Sequence, residues 1–281
     1  MLRQKSFQTD SPTLYLVATP IGNLDEFTKR AVDVLKSVDV IAAEDTRNSG
    51  VLLKKYGIET KMITYHLFNE DESSLGIIKL LEEGKNVAII SDAGYPLVSD
   101  PGELLVKRVL ALNYPVVVIN GPSALLAGLV ASGLKTMPFT FYGFLPSKQN
   151  ERKEKLKDIR YHKETLIFYE APHRIEKTLN DMLEIFGDRK ICVARELTKI
   201  FEEYLRGRIS EIIPLVSEIK GEIVLIVDGY EDLSQPSISL AELMDVIDKY
   251  VEEGMSASSA IKKAAKEYGF PKNQVYDAYF S

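Results

Sequence analysis

The chain of 281 residues contains one cysteine and three histidines. A single cysteine, Cys192, excludes an intrachain disulfide and also excludes a zinc site built on paired cysteines. No H-E-x-x-H sequence or other paired ligand spacing accompanies the histidines, so the sequence predicts no metal site. We interpret the lone thiol as a side chain that fills core space.

Long apolar segments are also missing. The first twelve residues are polar and lack the apolar core of a signal peptide, and no later segment runs about 18 apolar residues without charge. We therefore expect a cytoplasmic protein. Its 45% hydrophobic and 27% charged residues are typical of a folded chain long enough for two domains. The net charge of −6 disfavours a general nucleic-acid binder, because affinity independent of sequence comes from Lys and Arg that neutralise phosphates.

Two nucleotide-binding fingerprints are absent as well. No two of the 17 glycines are separated by one residue, so the G-x-G-x-x-G sequence of dinucleotide-binding domains cannot occur. The chain also has no G-x-x-x-x-G-K-[ST] phosphate loop. The sequence therefore lacks the usual signatures of a nicotinamide oxidoreductase and of a P-loop ATPase, and we expect a different cofactor.

The sequence does contain ten short apolar runs separated by amphipathic stretches. Five near-continuous runs of Val, Ile and Leu predict a parallel sheet covered by crossover helices, rather than an antiparallel sandwich: 14–18, 38–43, 62–65, 87–91 and 115–120. A small-residue helix at 124–132 leads to a second α/β set: 139–143, 166–170, 191–195, 203–206 and 223–228. We expect a tail at 1–12, α/β domains at 13–121 and 122–232, and a helical extension at 233–281.

Unusual residues follow the predicted strands, where ligands bind in doubly wound sheets. The sequences are T-P-I-G-N-L-D at 19–25, E-D-T-R at 44–47 and S-D-A-G-Y-P at 91–96. For any one of these loops alone, turn formation and helix capping are the favoured explanation, whereas several such loops at one sheet edge favour a ligand site. In the third loop we expect Ala93 and Gly94 to let backbone amides approach a ligand, with Gly94 at a positive φ.

Later segments carry further candidates. G-P-S-A at 121–124 opens a helix whose N–H groups and Ser123 hydroxyl suit a carboxylate, although Ser123 is equally a simple cap. E-A-P-H-R at 170–174 and A-R-E-L-T-K at 194–199 place charges at strand ends. Residues 146–163 hold seven Lys or Arg against three Asp or Glu, a net of +4, which indicates either a solvated helix face or an RNA-docking surface.

The last segment has the spacing of a helix-turn-helix. Ala265, Gly269 and Val275 occupy the positions of the small contact residue, the turn glycine and the core anchor. Because this segment has few cations, we favour a packing or RNA-contacting appendage over a module that reads DNA sequence.

Taken together and in this order, the motifs resemble the ribosomal-RNA branch of the tetrapyrrole methylase superfamily, over about residues 13–230. Tyr95 departs from the family pattern, in which Thr or Met is commoner. The resemblance implies two α/β/α domains, the first with a parallel five-stranded sheet and the second with a mixed sheet, followed by a small helical extension. It also implies a homodimer, S-adenosylmethionine in the cleft between the domains, and methyl transfer to a cytidine 2′-hydroxyl of 16S ribosomal RNA in the small subunit.

The family pattern also implies the residues that contact the cofactor: Asp92, Ala93, Gly94, Val98, Ser123, Ala124, Tyr169, Leu197, Glu222 and Ile223. A ribose hydroxyl must lose its proton to act as a nucleophile, and the candidate bases are Glu44, Asp45, Glu170 and His173. The candidate RNA contacts are Arg47, Lys153, Lys155, Lys157, Arg174, Arg195 and Lys199.

Two alternatives remain at this point. A carbon methyltransferase of a corrin precursor would share the superfamily but would need a cleft suited to a polycarboxylate macrocycle. A non-catalytic ribosome-assembly factor would use the basic helix and the helical tail to bind RNA.

Overall fold

The computed structural model describes residues 4–6, 11–65, 70–99, 103–231 and 238–280. Most of the predicted N-terminal tail, residues 100–102, and the predicted boundary between the second α/β domain and the helical extension lie outside these ranges. Among the described residues, no helix combines the length and the apolar character needed to cross a bilayer.

The first lobe alternates strands and helices. Its elements are β1 (Leu14–Val17), α1 (Lys29–Ser37), β2 (Val40–Ala43), α2 (Thr46–Lys55), β3 (Met62–Thr64), α3 (Glu70–Glu82), β4 (Val87–Ile90), α4 (Glu103–Ala111) and β5 (Val116–Ile119). The strands form a fully parallel sheet in the order β3-β2-β4-β1-β5. Every residue of β2 and β4 is buried, because helices cover both faces of the sheet.

Two separate apolar cores lie on the two faces of this sheet. Ala31 and Leu35 of α1 pack on one face, and Leu105 and Val109 of α4 pack on the other. The chain therefore leaves the neighbouring strands β1 and β4 toward opposite faces. Such a divergence opens a crevice at the carboxyl ends of the two strands, which is where open α/β sheets bind ligands.

The second lobe contains α5 (Ala124–Ala131), β6 (Phe139–Phe144), α6 (Gln149–Ile159), β7 (Thr165–Glu170), α7 (Ile175–Phe186), β8 (Lys190–Arg195), β9 (Glu203–Arg208), α8 (Ile209–Ile212) and β10 (Ile223–Val227). Its sheet has the order β6-β7-β10-β8-β9, with β6 and β7 parallel and the other pairs antiparallel. The expected pair of sheets, one parallel and one mixed, is confirmed. Leu129 of α5 packs against Val224 and Ile226, so this helix covers one face of the second sheet.

The chain divides into two compact units at Gly229 and Tyr230, and both sheets belong to the first unit. The second unit contains α9 (Leu240–Glu252), α10 (Ala257–Tyr268) and α11 (Lys272–Phe280). Gly269 ends α10 in the left-handed conformation at φ 78°, while Ala265 and Val275 are buried in the core of this unit. The three residues of the helix-turn-helix spacing therefore take the contact, turn and anchor positions.

Candidate functional site

A cavity of about 510 Å³ lies where loops of both lobes meet. The first lobe and the adjoining start of α5 contribute residues that follow β1, β2, β4 and β5: Ile21, Glu44, Asp92, Ala93, Gly94, Tyr95, Val98, Ser99, Ser123, Ala124 and Leu125. The second lobe contributes the ends of β6 and β7, the loop after β8 and the start of β10: Phe144, Tyr169, Glu170, Ala171, Pro172, Leu197, Gly221, Glu222, Ile223 and Val224. All ten residues expected to contact the cofactor line this one cavity.

The loop after β4 is held by backbone pairing to the loop after β1. Thr19 and Gly94 exchange two hydrogen bonds, of 2.9 and 3.1 Å, so the N–H of Gly94 is occupied. This amide is therefore not available to a ligand, and the approach of the loop's other backbone amides to a ligand stays a prediction. The positive φ expected of Gly94 is confirmed at 76°, and a side chain there would touch Ile21 at 3.4 Å.

Tyr95 connects this loop to the loop after β5. Its hydroxyl accepts a hydrogen bond from the Gly121 N–H at 3.2 Å and lies 3.4 Å from the Asn120 side chain. The residue that departs from the family pattern therefore braces two walls of the cavity against each other.

Strained backbone is concentrated around the cavity. Leu97, Ser99, Glu196 and Thr198 all have positive φ between 49° and 72°, which non-glycine residues rarely adopt. Such strain persists only where the surrounding structure enforces it, and it is common at ligand sites.

The two lobes touch directly beside the cavity. The Asn23 N–H donates to the Thr198 hydroxyl at 2.9 Å. A Cβ on Gly22 would lie 2.4 Å from the Lys199 Cγ, so only glycine allows this approach. The T-P-I-G-N-L sequence therefore positions the second lobe against the first.

A carboxylate bridge fixes the wall formed by the second lobe. One oxygen of Glu196 accepts from the Lys199 ammonium at 2.9 Å and from the Glu222 N–H at 3.0 Å. Lys199 also reaches the Glu222 carboxylate at 2.8 Å. The hydrogen bond from Lys199 is the main reason that the pKa of Glu196 lies below its usual value. Leu197 and Glu222 are thereby held at the cavity by one network.

Glu44 and Asp45 are adjacent in sequence but have different environments. Glu44 lines the cavity, and burial together with the charges of Asp92 and Asp45 raises the pKa of its carboxyl. Asp45 caps α2 by accepting from the Arg47 N–H at 2.8 Å. Hydrogen bonds from Arg47 lower the pKa of Asp45, so its carboxylate is the weaker base.

The other two candidate bases are poorly placed. Glu170 is buried, and its carboxylate accepts from the Thr178 hydroxyl at 2.6 Å and from the Ala171 N–H at 2.8 Å. It also contacts Arg174 at 3.2 Å. His173 is exposed and does not line the cavity. Of the four candidate bases, only Glu44 both lines the cavity and has a carboxylate that accepts no hydrogen bond from the described residues.

The start of α5 forms another wall. Ser123 occupies the N-cap position, but its hydroxyl makes no capping hydrogen bond. The hydroxyl and the first N–H groups of α5 are therefore available to a carboxylate or hydroxyl group of a ligand.

The cations expected to contact RNA have partners within the chain. Four of them form ion pairs near the strand ends: Arg47 with Asp45 at 3.2 Å, Arg174 with Glu170 at 3.2 Å, Arg195 with Glu203 at 2.6 Å, and Lys199 with Glu222 at 2.8 Å. Three lie on α6 and contact neighbouring side chains: Lys153 with Glu184 at 2.6 Å, Lys157 with Glu154 at 2.8 Å, and Lys155 over the Tyr142 ring at 5.0 Å. Acidic residues of α7 therefore offset part of the positive charge that the sequence places on α6.

Sequence reasoning missed nine residues that line the cavity: Ile21, Tyr95, Ser99, Leu125, Phe144, Ala171, Pro172, Gly221 and Val224. Most of them lie within or next to the motifs, so the motif boundaries were the available signal. Phe144 directly follows the predicted end of its strand and could have been found in the same way.

The family model described as tetrapyrrole (corrin/porphyrin) methylases matches residues 13–213. A relative from Bacillus subtilis (strain 168), named ribosomal RNA small subunit methyltransferase I, is 47% identical over 99% of this chain and 98% of its own length. A relative of the same name from Synechocystis sp. is 42% identical over 94% and 95% of the two chains.

Solved structures share the fold at low sequence identity. Uroporphyrin-III-C-methyltransferase from Thermus thermophilus has a TM-score of 0.54 at 19% identity, over 77% of this chain and 94% of that chain. A diphthine synthase from Entamoeba histolytica, described as putative, has a TM-score of 0.58 at 16% identity, over 79% and 94%. The family model and the nearly full-length relatives show that this chain belongs to the tetrapyrrole (corrin/porphyrin) methylase family.

Proposed function

We propose that the chain transfers a methyl group from S-adenosylmethionine to the ribose 2′-hydroxyl of a cytidine in small-subunit ribosomal RNA. The observation that carries this proposal is the cavity between the lobes, which gathers the ten expected cofactor residues and the carboxylate of Glu44. The names of the relatives at 42–47% identity support the choice of RNA. Because ribosomal subunits are the substrate, we place the reaction in the cytoplasm.

The cavity fits S-adenosylmethionine in size and in charge. Its volume of about 510 Å³ lies within the range of small-molecule sites. Its titratable lining residues are acidic, apart from Tyr95 and Tyr169, and suit the positive sulfonium: Glu44, Asp92, Glu170 and Glu222. Ser123 and the start of α5 suit a carboxylate. When bound, the cofactor supplies an electrophilic methyl group on sulfur.

The chain contributes alignment, exclusion of water and removal of a proton. Glu44 is the proposed general base, because its carboxylate faces the cavity and is not held by another hydrogen bond in the described structure. A raised pKa makes the ionised carboxylate a stronger base. Asp92 and Asp45 supply part of that increase without taking the proton themselves.

The RNA surface is a proposal of the same kind. The seven cations named above flank the loops or lie on α6, and their ion pairs are mostly partly exposed, so phosphates can compete for them. Arg174 is the exception, because it donates to the Leu145 carbonyl at 2.8 Å and is mostly buried. We therefore assign Arg174 to the support of Glu170 and keep the other six as proposed RNA contacts.

A corrin precursor is a poorer substrate for this cavity. None of the described residues that line it is Lys, Arg or His, and four are carboxylates. A polycarboxylate macrocycle would meet like charges there, whereas a single uncharged ribose would not. The assembled cavity likewise favours an enzyme over a non-catalytic assembly factor.

We also propose that the protein is a homodimer. Strand β5 lies at the edge of its sheet and exposes Val118, and α5 exposes Leu126 and Val130 one turn apart. Exposed apolar side chains on an edge strand and on the helix that follows it are typical of an interface between copies of a chain. Light scattering should give twice the 31.5 kDa of one chain.

The proposed activity is tested with small ribosomal subunits from a strain that lacks this enzyme. The subunits are incubated with the protein and labelled S-adenosylmethionine, and the methyl group is mapped by mass spectrometry. We expect one cytidine that carries the label on its ribose. Label on a base carbon would contradict 2′-O transfer, and absence of label would contradict RNA methylation.

A further inference from the structure

Strand β6 contains one residue more than its neighbour at the edge of the cavity. Phe141 pairs with Ile167 of β7, and the next pair joins Phe144 to Tyr169. The register thus advances by three residues in β6 and by two in β7. Such an irregularity changes the face on which the following side chain lies.

The aromatic contacts show which face Phe144 takes. Tyr142 stacks on Phe168 with ring centroids 5.5 Å apart, on one side of the sheet. Phe141 packs edge-on against Tyr169 at 4.8 Å, on the other side. Regular alternation would place Phe144 with Tyr142. It instead contacts Tyr169 at 5.7 Å and lines the cavity.

Gly143 makes this change of face possible. Its φ of 65° is left-handed, and a Cβ would lie 3.0 Å from the Ser99 hydroxyl of the opposite lobe. The glycine therefore both turns the chain and lets the two walls of the cavity approach. The result is a phenyl ring that faces the cavity from the second lobe.

The ring of Phe144 has surface to offer a ligand. It is 56% exposed, and its plane lies at 61° to that of Tyr169, so the two rings are not stacked. The other two aromatic lining residues, Tyr95 and Tyr169, already contact other parts of the chain. The Tyr95 hydroxyl accepts a hydrogen bond from the Gly121 N–H, and the Tyr169 ring packs against Phe141. The exposed face of the Phe144 ring therefore offers apolar surface inside the cavity that a ligand can cover.

We propose that Phe144 is the stacking platform for the base of the target nucleotide. This inference rests on the proposed RNA methylation. Glu44 lies on the wall of the first lobe and would take the proton of the ribose, while the base of the same nucleotide stacks on the wall of the second lobe. Proteins bind unstacked bases in this way, because the faces of bases and aromatic rings attract each other.

The test compares Phe144→Leu, which stays apolar but loses the ring, with Phe144→Tyr, which keeps it. The readouts are kcat/KM for unmethylated small ribosomal subunits and the Kd of S-adenosylmethionine measured by calorimetry. Phe201→Leu is the matched control, because Phe201 is 67% exposed and does not line the cavity. Circular dichroism checks that each variant is folded.

We expect Phe144→Leu to lower kcat/KM for the subunits by roughly 5- to 150-fold, the loss that corresponds to one base stack of ~1–3 kcal/mol. Phe144→Tyr should restore most of the activity that Phe144→Leu loses, because it keeps an aromatic ring. Phe201→Leu should stay within about twofold of the wild type, and the Kd of S-adenosylmethionine should change less than about twofold.

Three results would overturn the inference. A Kd for S-adenosylmethionine raised in Phe144→Leu would place the ring against the cofactor. If the wild-type enzyme is active and Phe144→Leu has an unchanged kcat/KM, Phe144 is not the stacking platform, and the proposed function still holds. A wild-type enzyme that methylates no RNA would remove the proposed function and this inference together.

Discussion

The ion pair between Arg152 and Asp181 predicts a large loss of stability when one partner is neutralised. Both side chains are 3% exposed, and the Nη2 of Arg152 lies 2.6 Å from an oxygen of Asp181. The Nε of Arg152 donates to the same oxygen at 2.8 Å, and Nη1 donates to the Ser147 carbonyl at 3.1 Å. Asp181→Asn would leave the guanidinium charge buried without its counterion.

The expected magnitude follows from this burial. Breaking a buried pair on one side costs about 3–5 kcal/mol, which lowers the thermal midpoint of a unit of this size by roughly 6–20 °C. Glu184→Gln is the matched control, because it removes a pair with Lys153 in which the Glu184 side chain is 62% exposed. An exposed pair contributes at most about 1 kcal/mol.

The assay is urea and thermal unfolding followed by circular dichroism at low ionic strength. The double variant Arg152→Met with Asp181→Leu should recover most of the lost stability, since it removes both charges together. If Asp181→Asn unfolds within about 1 kcal/mol of the wild type, as Glu184→Gln is expected to do, the pair does not stabilise the second lobe and the reasoning is refuted.

The remaining predictions concern the cavity. Glu44→Gln should lower the methylation rate by about 10²–10⁴-fold with a far smaller effect on the calorimetric affinity for S-adenosylmethionine, and an activity near that of the wild type would exclude Glu44 as the base. Asp45→Asn keeps a good helix cap but removes a charge that raises the pKa of Glu44. The acidic limb of the pH–rate profile should therefore move to lower pH. Loss of activity at all pH values would instead make Asp45 the base. Gly221→Ala should weaken binding of S-adenosylmethionine, because its Cβ would displace the Glu196 carboxylate and φ is 90°, and undiminished affinity would show that the wall tolerates the shift.

Apolar periodicity predicts the fold of this chain well. Each of the ten predicted strands overlaps an observed strand with ends that differ by two residues or fewer. The buried strands of the first sheet explain this success, because β2 and β4 are covered on both faces and therefore carry uninterrupted apolar sequence. Gly94 and Gly269 were predictable for a related reason, since a tight turn at each position requires a positive φ.

The cations were harder to interpret from sequence. The segment 146–163 has a net positive charge, but Arg152 of this segment is buried and its counterion, Asp181, comes from α7. Local charge counts cannot include a partner 29 residues away, so a structural ion pair and a docking surface look the same in the sequence. Arg174 presents the same difficulty, because its partner carbonyl belongs to Leu145, 29 residues earlier in the chain.

The roles of the adjacent carboxylates Glu44 and Asp45 show why the chemistry of a site is not readable from a motif. Both follow the same buried strand, and either is a reasonable base by composition. The turn into α2 directs Asp45 to the N–H and side chain of Arg47, and these hydrogen bonds lower the pKa of Asp45. Glu44 instead lies beside Asp92, which follows the neighbouring strand β4. The difference arises from which strand lies next to β2, and that is a property of sheet order. A base assigned from the motif alone would therefore have an even chance of naming the helix cap, whereas the pH profile of Asp45→Asn separates the two.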